Sequence, residues 1–451
     1  MYFYPLSYQK KVEAWRRGEI DWDTGKPLEG AENAHDGVHY DKLAAEKIKR
    51  LTIYLRLDSM PNLLAFASLF GGNSDKPAAK LHPSKDVTLS KDANDASVTD
   101  VIPVRPVEAY GLRLLNLTDR GSSVMQVSEM DSYTAYDPVV NTFRTFGRLH
   151  NLAVSGEVLV VPESSFAETL GMRASDSDLL VLPWSETGGM SEQAIIEDKG
   201  TKNKLAASSY ISFVNSTFAN SSIPVAVLIN KNFGGSKNKE TKQRSRLTRM
   251  HSDISLASSR EKVVTAPIQD RSHHVFFPFF GGNDDRAALR LVFQLAENPQ
   301  VTATIVYFDV QDLFLASDTP SSTSQTLGKA GEIVTTSSTS GREQDVAFFA
   351  ALRDSLPADI ANRVVFETVT SAAPVKDVIA RAGIEVGQAA RNAGDLVVLG
   401  RNIGRNSVLS ADDGEDEIAS VSSASSTLGL LAEKVWEGKL GASVLVVKAA
   451  A

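Results

Sequence analysis

Short apolar runs without polar alternation recur along this chain, and each is followed by a longer stretch with apolar positions three or four apart. The runs read as strands buried on both faces, and the longer stretches as amphipathic helices. A first series opens with RLTIYLRLDSM (50–60), where Leu51, Ile53, Leu55 and Leu57 alternate with other residues. It passes into the helical PNLLAFASLF, whose Pro61 suits a first turn. Strand EAYGLRLLNLTDR (108–120), helix PVVNTFRTFGRLHNL (138–152), strand GEVLVVPE (156–163) and helix SSFAETLGMRASDSD (164–178) follow. Strand LLVLPW (179–184), helix KLAASSYISFVNSTFANS (204–221) and strand IPVAVLIN (223–230) complete the series.

The order then repeats. Strand HHVFFPFFGG (273–282), helix DRAALRLVFQLAEN (285–298), strand VTATIVYFDV (301–310), helix EQDVAFFAALRDSL (343–356) and strand RVVFETVTS (363–371) lead on. After them come helix VKDVIARAGIEVGQAARNA (375–393), strand DLVVLGRN, helix STLGLLAEKVWEG (426–438) and strand ASVLVVKA (442–449). Strands alternating with helices predict parallel sheets with crossover connections. The expected fold is α/β: two tandem Rossmann-like domains at 49–230 and 271–451, each with a five-stranded, mainly parallel sheet flanked by helices. Residues 1–48 are an N-terminal linker and 231–270 a basic interdomain linker. LLVLPW and DLVVLGRN are then equivalent fourth strands, and each carboxyl end points at the crevice where such sheets bind ligands.

Composition narrows the function. The chain has 451 residues, 42% hydrophobic and 23% charged, enough for two cores. It contains no cysteine, which excludes disulfides and thiolate metal sites and suits a reducing compartment. A net charge of −8 argues against nucleic acid as a partner. No apolar run approaches the ~20 residues of a membrane span, so the chain reads as soluble. The seven Lys or Arg between Lys231 and Arg249 lack interleaved aromatics and read as a solvated linker. Residues 71–103 and the Ser/Thr-rich 315–342 read as loops, the latter a candidate for phosphorylation.

Several of these segments, in this order, resemble the cytosolic C-terminal region of plant and fungal cation/proton exchangers of the antiporter-2 type. In the second series they are FFGGNDDRAALRLVFQLAEN, DLVVLGRN and LGLLAEKVWEGKLGASVLVVK; in the first, GLRLLNLTDRGSSVM and SDLLVLPW. The start, YQKKVEAWRRGEIDWDTG, is similar to the segment that leaves the membrane in fungal K+/H+ antiporters. Each α/β unit is in turn similar to a universal stress protein domain, many of which bind ATP or AMP. The resemblance implies an adenine nucleotide held by an acidic residue after the first strand and by a glycine loop after the fourth, because glycine lets amides approach phosphate and a helix start favours negative charge.

In the first unit Asp58 and Ser59 match the acidic position. Pro183 and Trp184 stand where the first loop glycine belongs, with Trp184 available to stack on a base beside Ser185, and Gly188 and Gly189 as a nest of amides. In the second unit Gly400 matches the first glycine and Gly404 falls one residue late, while Ser426, Thr427 and Gly429 stand at the helix start. Five carboxylates from Asp412 to Glu417 would repel a triphosphate there by about 1 kcal/mol per close pair. The structural alternative makes Gly281 and Gly282 a turn, and Asp284 and Asp285 an N-cap and first-turn acid. That alternative is preferred for the second unit. His35 and His39 have helical metal-ligand spacing, but Gly37 breaks the helix between them, so no metal site is expected.

No nucleophile elbow, phosphate-binding Walker loop, metalloprotease helix or cysteine nucleophile is present, and no enzyme is expected. The resemblance implies the regulatory domain of a K+ or Na+/proton antiporter at the cytoplasmic face of an endomembrane, partnered by the transmembrane domain of the same polypeptide. The alternative is a free nucleotide-binding stress-type protein with weak hydrolysis. A homodimer is expected through an exposed edge strand, IPVAVLIN or ASVLVVKA, with the latter favoured.

Overall fold

The computed structural model describes residues 47–71, 82, 84, 107–117, 134–185, 189–190, 205, 208–231, 233, 273–309, 338–387, 394–405, 423–438 and 440–450. The expectations for the N-terminal linker before Lys47, for His35 and His39, for most of the basic linker, for the Ser/Thr stretch up to 337, for Gly188 and for the Asp412–Glu417 carboxylates lie outside these residues.

Among the described residues the first series forms strands β1 (Arg50–Tyr54), β2 (Glu108–Asn116), β3 (Ala153–Val161), β4 (Leu179–Pro183) and β5 (Val225–Ile229). Its helices are α1 (Met60–Ser68), α2 (Pro138–Leu149), α3 (Phe166–Ala174) and α4 (Ser208–Asn220). The second series gives β6 (His273–Phe279), β7 (Val301–Asp309), β8 (Val364–Thr370), β9 (Leu396–Gly400) and β10 (Ser443–Lys448). With them come α5 (Asn283–Ala296), α6 (Ser338–Asp354), α7 (Pro374–Glu385), α8 (Ser423–Leu428) and α9 (Leu430–Glu437).

All ten strands join one sheet in the order β3-β2-β1-β4-β5-β10-β9-β6-β7-β8. Pairing within each series is parallel throughout. The β3 and β4 segments are not neighbours, since β4 lies between β1 and β5. The series meet at one antiparallel junction, β5 against β10, with Val444 opposite Ile229, Val446 opposite Val227 and Lys448 opposite Val225. Reading outward from that junction, the second order repeats the first, which gives the sheet a pseudo-two-fold character.

This junction corrects the expected dimer surface. IPVAVLIN and ASVLVVKA are not open edges, because each satisfies the other within one chain; the outer strands are β3 and β8. The physical reason lies in the side chains: Val225–Ile229 and Ser443–Val447 are buried throughout, and a strand buried on both faces cannot stand at a wet edge without losing that burial. Burying one Val or Leu side chain contributes about 1.5–3 kcal/mol.

Alternation along the strands sorts the core into two layers. Leu51, Ile53, Ala226, Leu228, Leu445, Val447, Phe277 and Phe279 pack on one face with α1, α2, α5 and α6. Tyr54, Leu182, Val227, Val444, Val446 and Phe276 pack on the other with α3, α4, α7, α8 and α9. Each layer contains residues of both series, so the hydrophobic core crosses the junction unbroken.

Local chemistry sets the helix ends. Asp137 caps α2 by accepting from the amides of Val139 and Val140, both at 2.9 Å, with Pro138 in the first turn. Pro61 takes the first-turn position expected for it in α1. The expected helix over 375–393 stops at Glu385, where Val386 turns extended. The expected single helix over 426–438 starts earlier and is split into α8 and α9 at Gly429. Gly429 has φ +93°, and a Cβ there would lie 2.2 Å from the Arg401 carbonyl oxygen. Only glycine accepts both conditions.

Candidate functional site

The first-unit crevice opens where β1 and β4 end side by side. An arginine fills it. Arg56 stands just beyond β1, after Leu55, and its side chain is fully buried. Its Nε donates to Asp58 Oδ1 at 3.0 Å and its Nη2 to Oδ2 at 2.9 Å, a two-pronged ion pair. Nη1 donates to the Met190 carbonyl at 3.1 Å, and Nη2 also reaches Ser185 Oγ and the Gly189 carbonyl, both at 3.3 Å. The guanidinium carbon lies 5.2 Å from the centre of the Tyr210 ring. Burial pulls this guanidinium's pKa down, but the hydrogen bonds it donates to Asp58 and the fields of Tyr210 and Tyr54 outweigh it and hold the group charged.

The residues expected to hold a nucleotide therefore have internal partners. Asp58 pairs Arg56 and accepts from Ser59 Oγ at 2.9 Å. Trp184 is 2% exposed, with its ring edge-on to Tyr210 at 5.3 Å. Ser185 Oγ donates to the Gly189 carbonyl at 2.8 Å, so that loop closes on itself. The structure brings Asp58, Ser59, Ser185 and Gly189 together around Arg56, a residue that the sequence reading passed over.

In the second unit Gly281 and Gly282 do make the expected turn, with φ of +89° and +92°. Gly282, not an aspartate, stands at the N-cap of α5. Asp285 is fully buried, accepting from the Phe280 amide at 2.7 Å and from Asn402 Nδ2 at 2.6 Å. Asp284 accepts from the amides of Asn402 at 3.1 Å and Ala449 at 2.8 Å. Two acids thus tie together the ends of β6, β9 and β10. Gly400 belongs to this knot, since a Cβ there would sit 2.1 Å from Asp285 Oδ1.

The remaining phosphate-loop candidates scatter. Gly404 is exposed in a one-turn helix, with no atom within 4 Å of where its Cβ would be. Ser426 bonds back to the Ser423 carbonyl. Thr427 is buried and faces the first unit, accepting from Asn215 Nδ2 of α4 at 2.6 Å.

That contact belongs to a polar seam between the units. Arg401 donates to the Thr427 carbonyl at 2.6 Å and stacks 4.3 Å from the Phe218 ring centre. Lys448 Nζ donates to the Phe218 carbonyl at 2.7 Å. Burial lowers the pKa of both cations, and for Lys448 the nearby Arg401 lowers it further. On the opposite face Gln294 of α5 bonds both ways to the Ile48 backbone, at 2.9 and 2.8 Å.

A second polar cluster has no counterpart in the sequence reading. At the amino ends of β6 and β7, Thr304 Oγ1 lies 3.0 Å from His82 Nε2, 3.2 Å from His274 Nε2 and 3.1 Å from Glu385 Oε2. His274 Nε2 also lies 3.2 Å from Glu385 Oε2. His82 and His274 are 3% and 8% exposed. The His274 hydrogen bond holds the Glu385 carboxyl below its ordinary pKa, against the upward pull of burial. An open cleft of about 320 Å³ adjoins the cluster, shares Thr304 and Glu385 with it, and is walled by Phe276, Val306, Ile384 and the Arg381–Glu367 ion pair.

No family model matches the chain. Over 225 residues it is 23% identical to Cation/H(+) antiporter 17 of Arabidopsis thaliana, an alignment covering 46% of this chain and 23% of that protein. Similar solved structures include the cytoplasmic domain of a prokaryotic cation chloride cotransporter, at 10% identity and TM-score 0.38 over 88% of this chain and 94% of that one. Another is a universal stress protein from Archaeoglobus fulgidus, at 11% identity and TM-score 0.38 over 89% and 96%. Among the described residues no helix is long and apolar enough to cross a membrane. The chain is thus an α/β protein, built on one mostly parallel sheet, with distant sequence similarity to a plant cation/H+ antiporter.

Proposed function

We propose that this chain is a regulatory module of a membrane monovalent cation (K+ or Na+)/proton antiporter, acting on its cytoplasmic face. The similarity to a cation/H+ antiporter over 225 residues carries the reading. The geometry supports it: a sheet, a core and a polar seam shared by both units make them one body, suited to passing a displacement on. The reading assigns no catalysis.

It also assigns no role to AMP or ATP in the first-unit crevice, because Arg56 already engages Asp58, Ser185 Oγ and the Gly189 carbonyl. Calorimetry with AMP and ATP is expected to register no binding there. An affinity that Asp58→Ala abolishes would restore the nucleotide site.

The function is tested on the intact gene product. Apolar segments of about 20 residues are expected outside this chain. Proton-coupled K+ flux in vesicles is then compared between wild type and Arg401→Ala, which strips the seam of its central cation. A coupling free energy of the usual size predicts a change of about fivefold or more. Unaltered flux, or a gene product without such segments, would remove the reading.

A further inference from the structure

We propose that His82, His274 and Glu385 form a binding site for a divalent transition-metal ion of the zinc class. Their ligating atoms lie within 4.8 Å of one another. Two imidazoles and a carboxylate are a donor set that suits zinc and its first-row neighbours, whereas calcium and magnesium call for more oxygens. Bonds of about 2.0–2.1 Å in tetrahedral geometry place neighbouring donors about 3.3 Å apart. His274 Nε2 and Glu385 Oε2, at 3.2 Å, already meet that spacing. His82 must draw inward, and it stands in a chain segment of the first unit, outside the sheet.

The outer partners support the assignment. Each ring has its Nδ1 on a hydroxyl: His82 on Ser84 Oγ at 2.7 Å, and His274 on Thr302 Oγ1 at 2.8 Å. That arrangement turns both Nε2 atoms to the common centre, as in built metal sites whose ligands are oriented from behind. The Thr304 hydroxyl bridges all three groups at that centre, and an ion would displace it. Metal entry takes the Nε2 lone pair of each ring and leaves the ring proton on Nδ1, where Ser84 Oγ and Thr302 Oγ1 accept. The weak Ser84 amide contact to His82 Nδ1, at 3.2 Å, is given up. The fourth position opens on the adjoining cleft, so water completes the shell. Because His82 lies in the first unit and the other two ligands in the second, the ion would cross-link the units at a point remote from the β5–β10 junction.

The test uses the whole chain, stripped of metal and titrated with Zn2+ against a chromophoric chelator. One ion per chain is expected, and Co2+ in its place should give the intense visible bands of four-coordinate geometry. His274→Gln and the near-isosteric Glu385→Gln should each weaken binding about tenfold or more. His82→Gln, which alters no strand or helix, should do the same with an unchanged far-ultraviolet spectrum. A variant carrying His35→Gln with His39→Gln should bind as wild type. Absence of zinc binding, wild-type affinity in the His82 and Glu385 variants, or loss confined to the His35/His39 variant would each overturn the site.

Discussion

Replacing Arg56 with alanine is expected to lower the unfolding free energy by about 3–5 kcal/mol, since breaking a buried ion pair strands the surviving charge. Asp58 is only 9% exposed at its side chain and would lose both guanidinium hydrogen bonds at once. Asp58→Ala should cost a similar amount from the other side, leaving the buried guanidinium without its two-pronged Asp58 pair. The two losses should not add, because each single change already destroys the same pair. Urea titrations of the wild type, both single variants and the double variant close the cycle. A loss below about 1 kcal/mol for Arg56→Ala, or strict additivity, would mean that the pair is screened as a surface bridge is.

The second large effect concerns the junction. Val446→Pro should destabilise the chain by about 3 kcal/mol or more, the scale on which proline breaks regular structure. β10 lies between β5 and β9, so each of its amides serves one neighbour or the other, and proline removes a donor whichever way it points. Val446 is also wholly buried opposite Val227. Limited proteolysis between the units should accelerate in the variant. A variant as stable as wild type, or one whose only change is the loss of a dimer in sedimentation, would contradict pairing inside one chain.

Much of the architecture was legible because it is written in local periodicity. Runs such as LLVLP and LVVLG declare strands buried on both faces, and both occupy interior positions in the sheet. The same logic misled in detail at β1. Leu51, Ile53, Leu55 and Leu57 suggest one inward face, yet Leu57 is exposed, while Thr52 and Tyr54 on the opposite parity are buried because β1 is central. Arg56 shares that parity, and its burial follows from Asp58 two residues on, a pairing that alternation alone does not reveal. The β5–β10 contact was illegible for another reason: nothing in either strand names its partner, and apolar strands fit a second copy as well as a second unit. The histidine cluster lay further out of reach, because its three ligands come from a loop, a strand and a helix end with no common spacing.

The antiparallel junction also sets a timetable for the ribosome. β5 is complete at Ile229, but the strand that covers it, Ser443–Lys448, is made only after the rest of the second series. At roughly 5–20 residues per second, the first unit emerges about 10–45 s before its neighbour can dock. Throughout that interval Val225–Ile229 is a nascent, unpaired apolar edge, the kind of surface that chaperones engage and that neighbouring polysome chains can capture. A chain cut before Ser443 would leave that state permanent, so truncations that remove β10 should yield aggregation rather than a shortened, working protein.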